Sequence, residues 1–453
     1  MNAMERQLGD IGDLPVATIV LLCLLISFIL IPTKLRLGVS LFGLSIAQTA
    51  ARLADLGPVV SIAIASMSFL SVMTILAVLM GDQKLLPWSI CQYALTASAA
   101  ISIFYVLDAT DATKAVILRI QWLLLVMAAS LTASAVRSQE QLVYVLKSIC
   151  MGLGVGCAIC LTPLIVNPAS AINSGIGRFM PYGCNPNQIG ITFAMTAILG
   201  AYIWLRTTTV VSRYLCGFSA ALGFALLVVT VSRTAILICA VAYLPLLPVL
   251  IRRPLPAAII VCVMCGGVWK LLGIAEDASF ARFDEGLDRS EFWEIGYNEF
   301  CQRPIFGMLG VTDLPAVELD VQDNTHNAFL SVLYLGGLSI GIPVFLCQLQ
   351  GLFAAIWLWF NRRKAAYDPI LIGVLAACSV MHVAHGFANA IIYYPTHLWA
   401  FWNIFSIAFF TNQLHMRFAG RVTTAIPRPH VRWVNQSGRQ VRNIPLAVTG
   451  KSS

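Results

Sequence analysis

The chain has 453 residues, of which 58% are hydrophobic and only 11% charged, with a mean hydropathy of +0.81 and a formal net charge of +8. Soluble domains carry about 25% charged residues, so a water-soluble globular enzyme is excluded and an integral membrane protein is expected. Lipid-exposed backbone must satisfy its hydrogen bonds internally, which leaves a helical bundle or a closed barrel. The apolar runs are continuous and do not alternate over about ten residues, and this selects helices.

In chain order the expected spans are 14–33, 37–50, 58–80, 87–107, 115–136, 142–165, 188–205, 214–231, 234–250, 256–274, 336–360, 369–392 and 397–411. The second and last are short. The first ends at Ile31-Pro32-Thr33, without the small residues of a cleavage site, and so reads as a span and not a signal peptide. The fold class is therefore all-α: a polytopic transmembrane helical bundle of about 12–13 spans, forming one integral membrane domain over 1–453. If 37–50 is re-entrant the count is twelve and the N-terminus changes side.

Positive charge collects on the cytoplasmic side of membrane proteins. Lys34/Arg36, Lys84, Arg137, Arg206/Arg213, Arg252/Arg253 and Arg362/Arg363/Lys364 then share that side. The connections around Asp55, Asp108/Asp111, 167–187, Ser232-Arg233 and 276–325 share the other. The tail 412–453 holds seven basic residues and no acidic one. It directly follows a helix end and contains little aromatic character. Attraction to anionic lipid headgroups accounts for it, and no nucleic-acid partner is expected. The 13 cysteines lie mostly in apolar runs, as small packing residues. Cys184 and Cys301 fall on the outer side, where a disulfide is chemically permitted but not implied.

Four polar constellations fall on the outer face. Gly175-Ile176-Gly177-Arg178 leads into Tyr182-Gly183-Cys184-Asn185-Pro186-Asn187-Gln188. Asn-Pro-Asn before an apolar run is a turn into a helix, with Asn187 expected to cap it. The bland reading is a capped loop. The functional one is a helix N-terminus and amides that hold an anion or a sugar. Ser232-Arg233-Thr234 follows, between two spans. An arginine so close to hydrocarbon is costly unless it snorkels or finds a partner, and its donor fork suits phosphate oxygens.

The third constellation is the long polar loop itself, 276–325, continuing to Asn327. Residues 276–327 carry twelve acidic side chains against three arginines, Arg282, Arg289 and Arg303. Arg289 and Trp293 stand four apart, so on a short amphipathic helix they share a face; Arg289 can equally pair with a neighbouring carboxylate. Pro304-Ile305-Phe306-Gly307 follows. The fourth is His326-Asn327, where polar loop becomes apolar helix ahead of Gly337 and Gly341. Imidazole there is the natural proton acceptor at neutral pH, or simply a histidine at a helix start. His382 and His385 lie within a span, lack the glutamate of a zinc motif, and read as buried and hydrogen-bonded.

The ordered set Asn185-Pro186-Asn187, Ser232-Arg233-Thr234, Arg289 with Trp293, Pro304-x-x-Gly307, and His326-Asn327 ahead of Gly337 and Gly341 resembles the bacterial O-antigen ligase and O-antigen/exopolysaccharide polymerase superfamily. The resemblance covers about residues 175–345. The family's Pro-x-x-Gly-x-Gly is replaced here by a segment continuing Gly307-Met308-Leu309-Gly310.

The resemblance implies an inner-membrane protein whose 276–325 loop is periplasmic, and an undecaprenyl-diphosphate-linked oligosaccharide as donor. It further implies functional roles for Arg233, Arg289 and His326. Asp323, Arg282 and Asn327 are read as their support, and Asn185, Asn187, Arg178 and Trp293 as donor or sugar contacts. Neither a metal nor a cofactor is expected. The partners are that donor, a glycan or lipid-linked acceptor, membrane lipid and, for a polymerase, a chain-length regulator. Polymerisation is preferred because the loop contains no recognisable domain for a bulky acceptor. Ligation to a lipid A core is the alternative, and saccharide transport the alternative of another class.

Overall fold

The computed structural model describes residues 14–81, 84–105, 112–173, 178–207, 209–250, 289–307, 327–365, 367–387 and 398–418. The expected span 256–274, most of the 276–325 loop, and the tail beyond Phe418 lie outside them.

The described chain is an α-helical bundle. Its principal helices are α1 (Leu14–Leu30), α2 (Thr33–Ala50), α3 (Pro58–Leu79), α4 (Ile90–Tyr105), α5 (Ala112–Ala135) and α6 (Gln139–Val166). They continue with α7 (Pro186–Arg206), α8 (Val210–Thr230), α9 (Arg233–Tyr243), α10 (Arg289–Gln302), α11 (Ala328–Phe360), α12 (Pro369–Gly386) and α13 (Leu398–Phe418). Among the described residues six segments are long and apolar enough to cross a membrane: α3, α6, α7, α8, Gly336–Phe360 of α11, and α12. Shorter apolar segments lie in α1, α4, α5 and from α9 into the turn beyond it. The protein is a multi-pass membrane protein.

Helix starts are set by local chemistry. Ser138 and Gln141 form a reciprocal capping box at α6. Asp368 caps α12, its Oδ1 accepting from the Ile370 N–H at 3.0 Å, with Pro369 as the first helical residue. Asn327 caps α11, its Oδ1 accepting from the N–H groups of Phe329 and Leu330 at 3.0 and 3.1 Å.

Two helices form the interior. The membrane-crossing window of α7 is 83% buried. In α13 every residue from Ala400 to Leu414 is buried, against α5 and α11 chiefly. The segment read as a short last span, 397–411, is thus part of a 21-residue helix at the centre of the bundle. Its polar extension is shielded by protein: Asn412 Nδ2 donates to Ser134 Oγ at 3.4 Å, and Gln413 Nε2 to Tyr367 Oη at 3.1 Å. The outer helices turn apolar side chains outward, among them Leu22, Phe218, Leu349 and Phe353. Such a surface is stable in lipid and would be an aggregation patch in water.

The end of the bundle that collects basic residues is tied by one network. Asp368 Oδ2 accepts from Arg206 Nε at 2.7 Å and from Tyr202 Oη at 3.1 Å. Gln139 donates to Tyr202 Oη and accepts from the Asp368 N–H. The start of α6, the end of α7 and the start of α12 are held in register there. The opposite end carries the candidate site.

Candidate functional site

The site is built around the start of α7. Two-residue strands β1 (Ile172–Asn173) and β2 (Arg178–Phe179) pair antiparallel, Asn173 opposite Arg178. After β2 the chain makes a 3-10 turn, Pro181–Gly183, in which Tyr182 has φ 51° and Gly183 φ 69°. Asn185 then caps α7, its Oδ1 accepting from the Asn187 N–H at 2.9 Å.

This corrects the expectation for Asn187. Because Pro186 occupies the first helical position, the capping position is Asn185, and Asn187 falls inside the first turn. Its side chain therefore leaves the helix sideways. Asn187 Oδ1 accepts from Arg178 Nη2 at 2.7 Å and from Ser232 Oγ at 3.3 Å. Arg178 also donates through Nε to the Thr230 carbonyl at 3.1 Å.

Thr230 is the last residue of α8, and Ser232 precedes α9. Between them Val231 is left-handed, with φ 52° and ψ 30°. A β-branched residue is a steric outlier in that region, and such a conformation costs about 1–3 kcal/mol. Tyr182 and Val231 are the two non-glycine residues with positive φ among the described residues. Both stand in the turns that bracket Asn187. Strain of this kind persists only where the surroundings over-determine it, and it clusters at functional sites.

The tight turn makes Arg233 the first residue of α9, and its side chain is exposed. A helix N-terminus carries partial positive charge and unpaired N–H groups. Arg178 lies close enough to feel Arg233: burial first, and then the Arg233 charge, lower the Arg178 guanidinium from its ordinary range. An exposed guanidinium at a helix start, with the charge of a second, internally bonded one beside it, makes a place suited to an anion.

Arg52 and Asp55, not singled out from the sequence, complete the surround. Arg52 Nη1 donates to Gln188 Oε1 at 3.2 Å. The Asp55 carboxylate packs on Gly183, where an added Cβ would stand 2.8 Å from Oδ1. The signal was present, since Arg52 is an arginine on the acidic-side connections, against the charge trend, just as Arg233 is.

Cys184 and Cys301 are free thiols with opposite environments. Cys184 is buried, and burial pushes its thiol up to about 12 despite nearby Arg52. Cys301 is exposed on α10. A membrane-impermeant maleimide, applied to the side bearing the loop, should therefore mark Cys301 and leave Cys184 unmodified. The label should vanish in Cys301→Ser. Persistent labelling that requires Cys184 would contradict the burial of this turn.

The second group of predicted residues lies on α10 and α11. Arg289 is the first residue of α10, and Trp293, one turn on, is 41% exposed. The helical expectation for this stretch holds. After α10 the Pro304–Gly307 turn docks on a break in α11, where Gly337 has φ 57° and ψ −162°. The N–H groups of Leu338 and Ser339, left without partners by the break, donate to the carbonyls of Pro304 and Ile305 at 2.8 and 3.0 Å. Pro304-x-x-Gly307 and Gly337, thirty residues apart in sequence, are thus two halves of one joint. Asn327, as the cap of α11, has a structural task.

The structure brings one set of the predicted residues together, namely Arg178, Asn185, Asn187 and Arg233. Arg289 and Trp293 lie on the first turns of α10 and Asn327 at the start of α11, outside that set. His326, Asp323 and Arg282 lie outside the described residues. His382 and His385 are buried in α12, and His382 Nδ1 stands 3.0 Å from the Cys378 carbonyl. Comparison with protein-family models finds no match to this chain, and comparison with curated proteins finds none either.

Proposed function

We propose that the protein is a glycosyltransferase of a bacterial inner membrane, working at the periplasmic face on a saccharide carried by undecaprenyl diphosphate. It uses that donor to extend a lipid-linked glycan, as a polymerase of O-antigen or exopolysaccharide. The observation that carries the reading is the pair of strained turns, at Tyr182 and Val231, that bracket the start of α7, with Arg178 on β2 and Arg233 at the start of α9 beside them. Backbone strain of this kind clusters at functional sites, and positive charge fixed beside it is what stabilises a developing anion. Its position at a bundle end suits a headgroup whose tail stays in lipid.

In this reading the acceptor hydroxyl attacks the anomeric carbon. The new C–O bond forms as the bond to the diphosphate breaks, and the electron pair departs with undecaprenyl diphosphate. The hydroxyl proton passes to His326, with Asp323 as its orienting partner, and the anomeric centre inverts. Negative charge grows on the diphosphate, so fixed guanidinium groups stabilise the transition state more than the ground state. Arg233 and Arg289, with Arg282, supply them. Because diphosphate is already a good leaving group, the step asks for no general acid.

The test is reconstitution. Purified protein in nanodiscs, given undecaprenyl-diphosphate oligosaccharide and a lipid-linked acceptor, should yield a longer glycan without nucleotide. Replacing His326 by Gln, which keeps hydrogen bonding but not basicity, should slow it about a hundredfold, the lower end of what a positioned base supplies. Transfer to a lipid A core with no self-extension would make the protein a ligase. Movement of the donor across proteoliposomes with no new glycosidic bond would overturn the enzymatic reading.

A further inference from the structure

We infer that Arg178 is a positioning residue: it holds the left-handed turn at Val231 and thereby aims Arg233, and it is not itself a contact of the ligand. The inference rests on the site described above, but its first readout does not depend on the reaction. Arg178 reaches both sides of the strained residue. Its Nε donates to the carbonyl of Thr230, just before Val231, at 3.1 Å. Its Nη2 donates at 2.7 Å to Asn187 Oδ1, which also accepts from Ser232 Oγ, just after Val231, at 3.3 Å.

The backbone of the turn offers little competing support. The Val231 N–H reaches the Val228 carbonyl at 3.3 Å, and the Ser232 N–H reaches Thr230 Oγ1 at 3.4 Å, both long for N–H donors. By contrast the Arg178–Asn187 bond is short and charge-assisted. The turn is also pressed onto α7 at Gly190, where an added Cβ would stand 2.9 Å from Ser232 Cβ. A left-handed valine is therefore kept in place from outside, by a guanidinium 53 residues earlier in the chain. The Arg233 charge beside Arg178, which repels it, makes the arrangement unlike a simple stabilising contact. Two like charges are brought together by bonds directed at the turn.

Lysine cannot reproduce this bridging, because a single ammonium does not span the Thr230 carbonyl and Asn187 Oδ1 as a planar fork does. Glycine at position 231, however, would adopt the left-handed conformation without the Cβ penalty. The experiment is a double-mutant cycle on the full chain in nanodiscs, with Arg178→Gln, Arg178→Lys, Val231→Gly and the two double variants. Amide hydrogen exchange is read over residues 228–236 and, as an internal reference, over 192–203 of α7.

Arg178→Gln and Arg178→Lys should each raise exchange over 228–236 at least tenfold while leaving 192–203 unchanged. Adding Val231→Gly should recover most of the lost protection, so the two effects are non-additive. If transfer activity is in hand, kcat should fall with Arg178→Gln and return in part with Val231→Gly. Unchanged exchange at the turn, or strictly additive effects, would overturn the inference, as would a rise in donor KM alone that Val231→Gly does not relieve. Should Arg178→Gln fail to fold, the Arg178→Lys arm decides between the same outcomes.

Discussion

Arg233→Lys should lower glycan transfer by about 10²–10⁴-fold while the protein reaches the membrane at normal abundance. The exposed side chain at the first position of α9 makes the substitution tolerable for folding. In the proposed reading the loss arises at the ligand: lysine keeps the charge but gives up the planar fork, and with it two parallel bonds to the donor's diphosphate oxygens. Charge-assisted bonds are worth about 1.5–3 kcal/mol each, and each 1.36 kcal/mol is about a tenfold change in rate. The measurement is initial rate at saturating and limiting donor. A fall in kcat locates the interaction in the transition state, and a rise in KM alone in the ground state. Wild-type rates at limiting donor would reduce Arg233 to an arginine at a membrane surface.

Gly337→Ala should be strongly damaging, and Gly341→Ala, one turn later, close to neutral. At φ 57° and ψ −162° the backbone lies in a region that only glycine occupies at ease, at a cost of about 1–3 kcal/mol for other residues. A Cβ there would also stand 2.6 Å from the Gly307 N and press on the Ile305 backbone, which cannot swing aside as a side chain can. At Gly341 the nearest atom is the end of the Leu333 side chain, at 2.8 Å, and alanine is the better helix former. Hydrogen exchange at Leu338 and Ser339 reads the joint directly, because their N–H groups are held by Pro304 and Ile305. Exchange should rise sharply in Gly337→Ala and stay at its wild-type rate in Gly341→Ala. Equal behaviour of the two would mean that the loop does not depend on this break.

The contrast between these two glycines illustrates what could be read in advance. Both stand in the same apolar run, and the resemblance groups them together. Only the tertiary structure, through the positive φ at Gly337 and the approach of the Pro304–Gly307 turn, makes one of them irreplaceable. Similarly, Ser232-Arg233 stood out because a charge beside hydrocarbon is costly wherever the chain goes. Arg52 carries the same signal. Nothing marked Val231 or Tyr182, because valine and tyrosine are ordinary residues at a span end and in a loop, and φ is not written in residue type.

What the sequence by itself determined is local. Long apolar runs force helices in lipid, since backbone groups there have no water to bond, and Ser138, Asp368 and Asn327 set where helices begin. The Asn-Pro-Asn turn was legible too, although the cap fell on Asn185 because proline takes the first helical position. Only the tertiary structure decided which helices face lipid and which are enclosed. An apolar side chain is satisfied equally by a lipid tail or a neighbouring helix, so hydropathy could not reveal that α13 is central. Nor could it join Arg178 to Thr230 and Asn187 to Ser232, 52 and 45 residues apart. Those bonds exist because packing brings β2, the start of α7 and the α8–α9 turn to one place, within reach of the Arg178 guanidinium and the Ser232 hydroxyl, and that is a property of the packing and not of any segment.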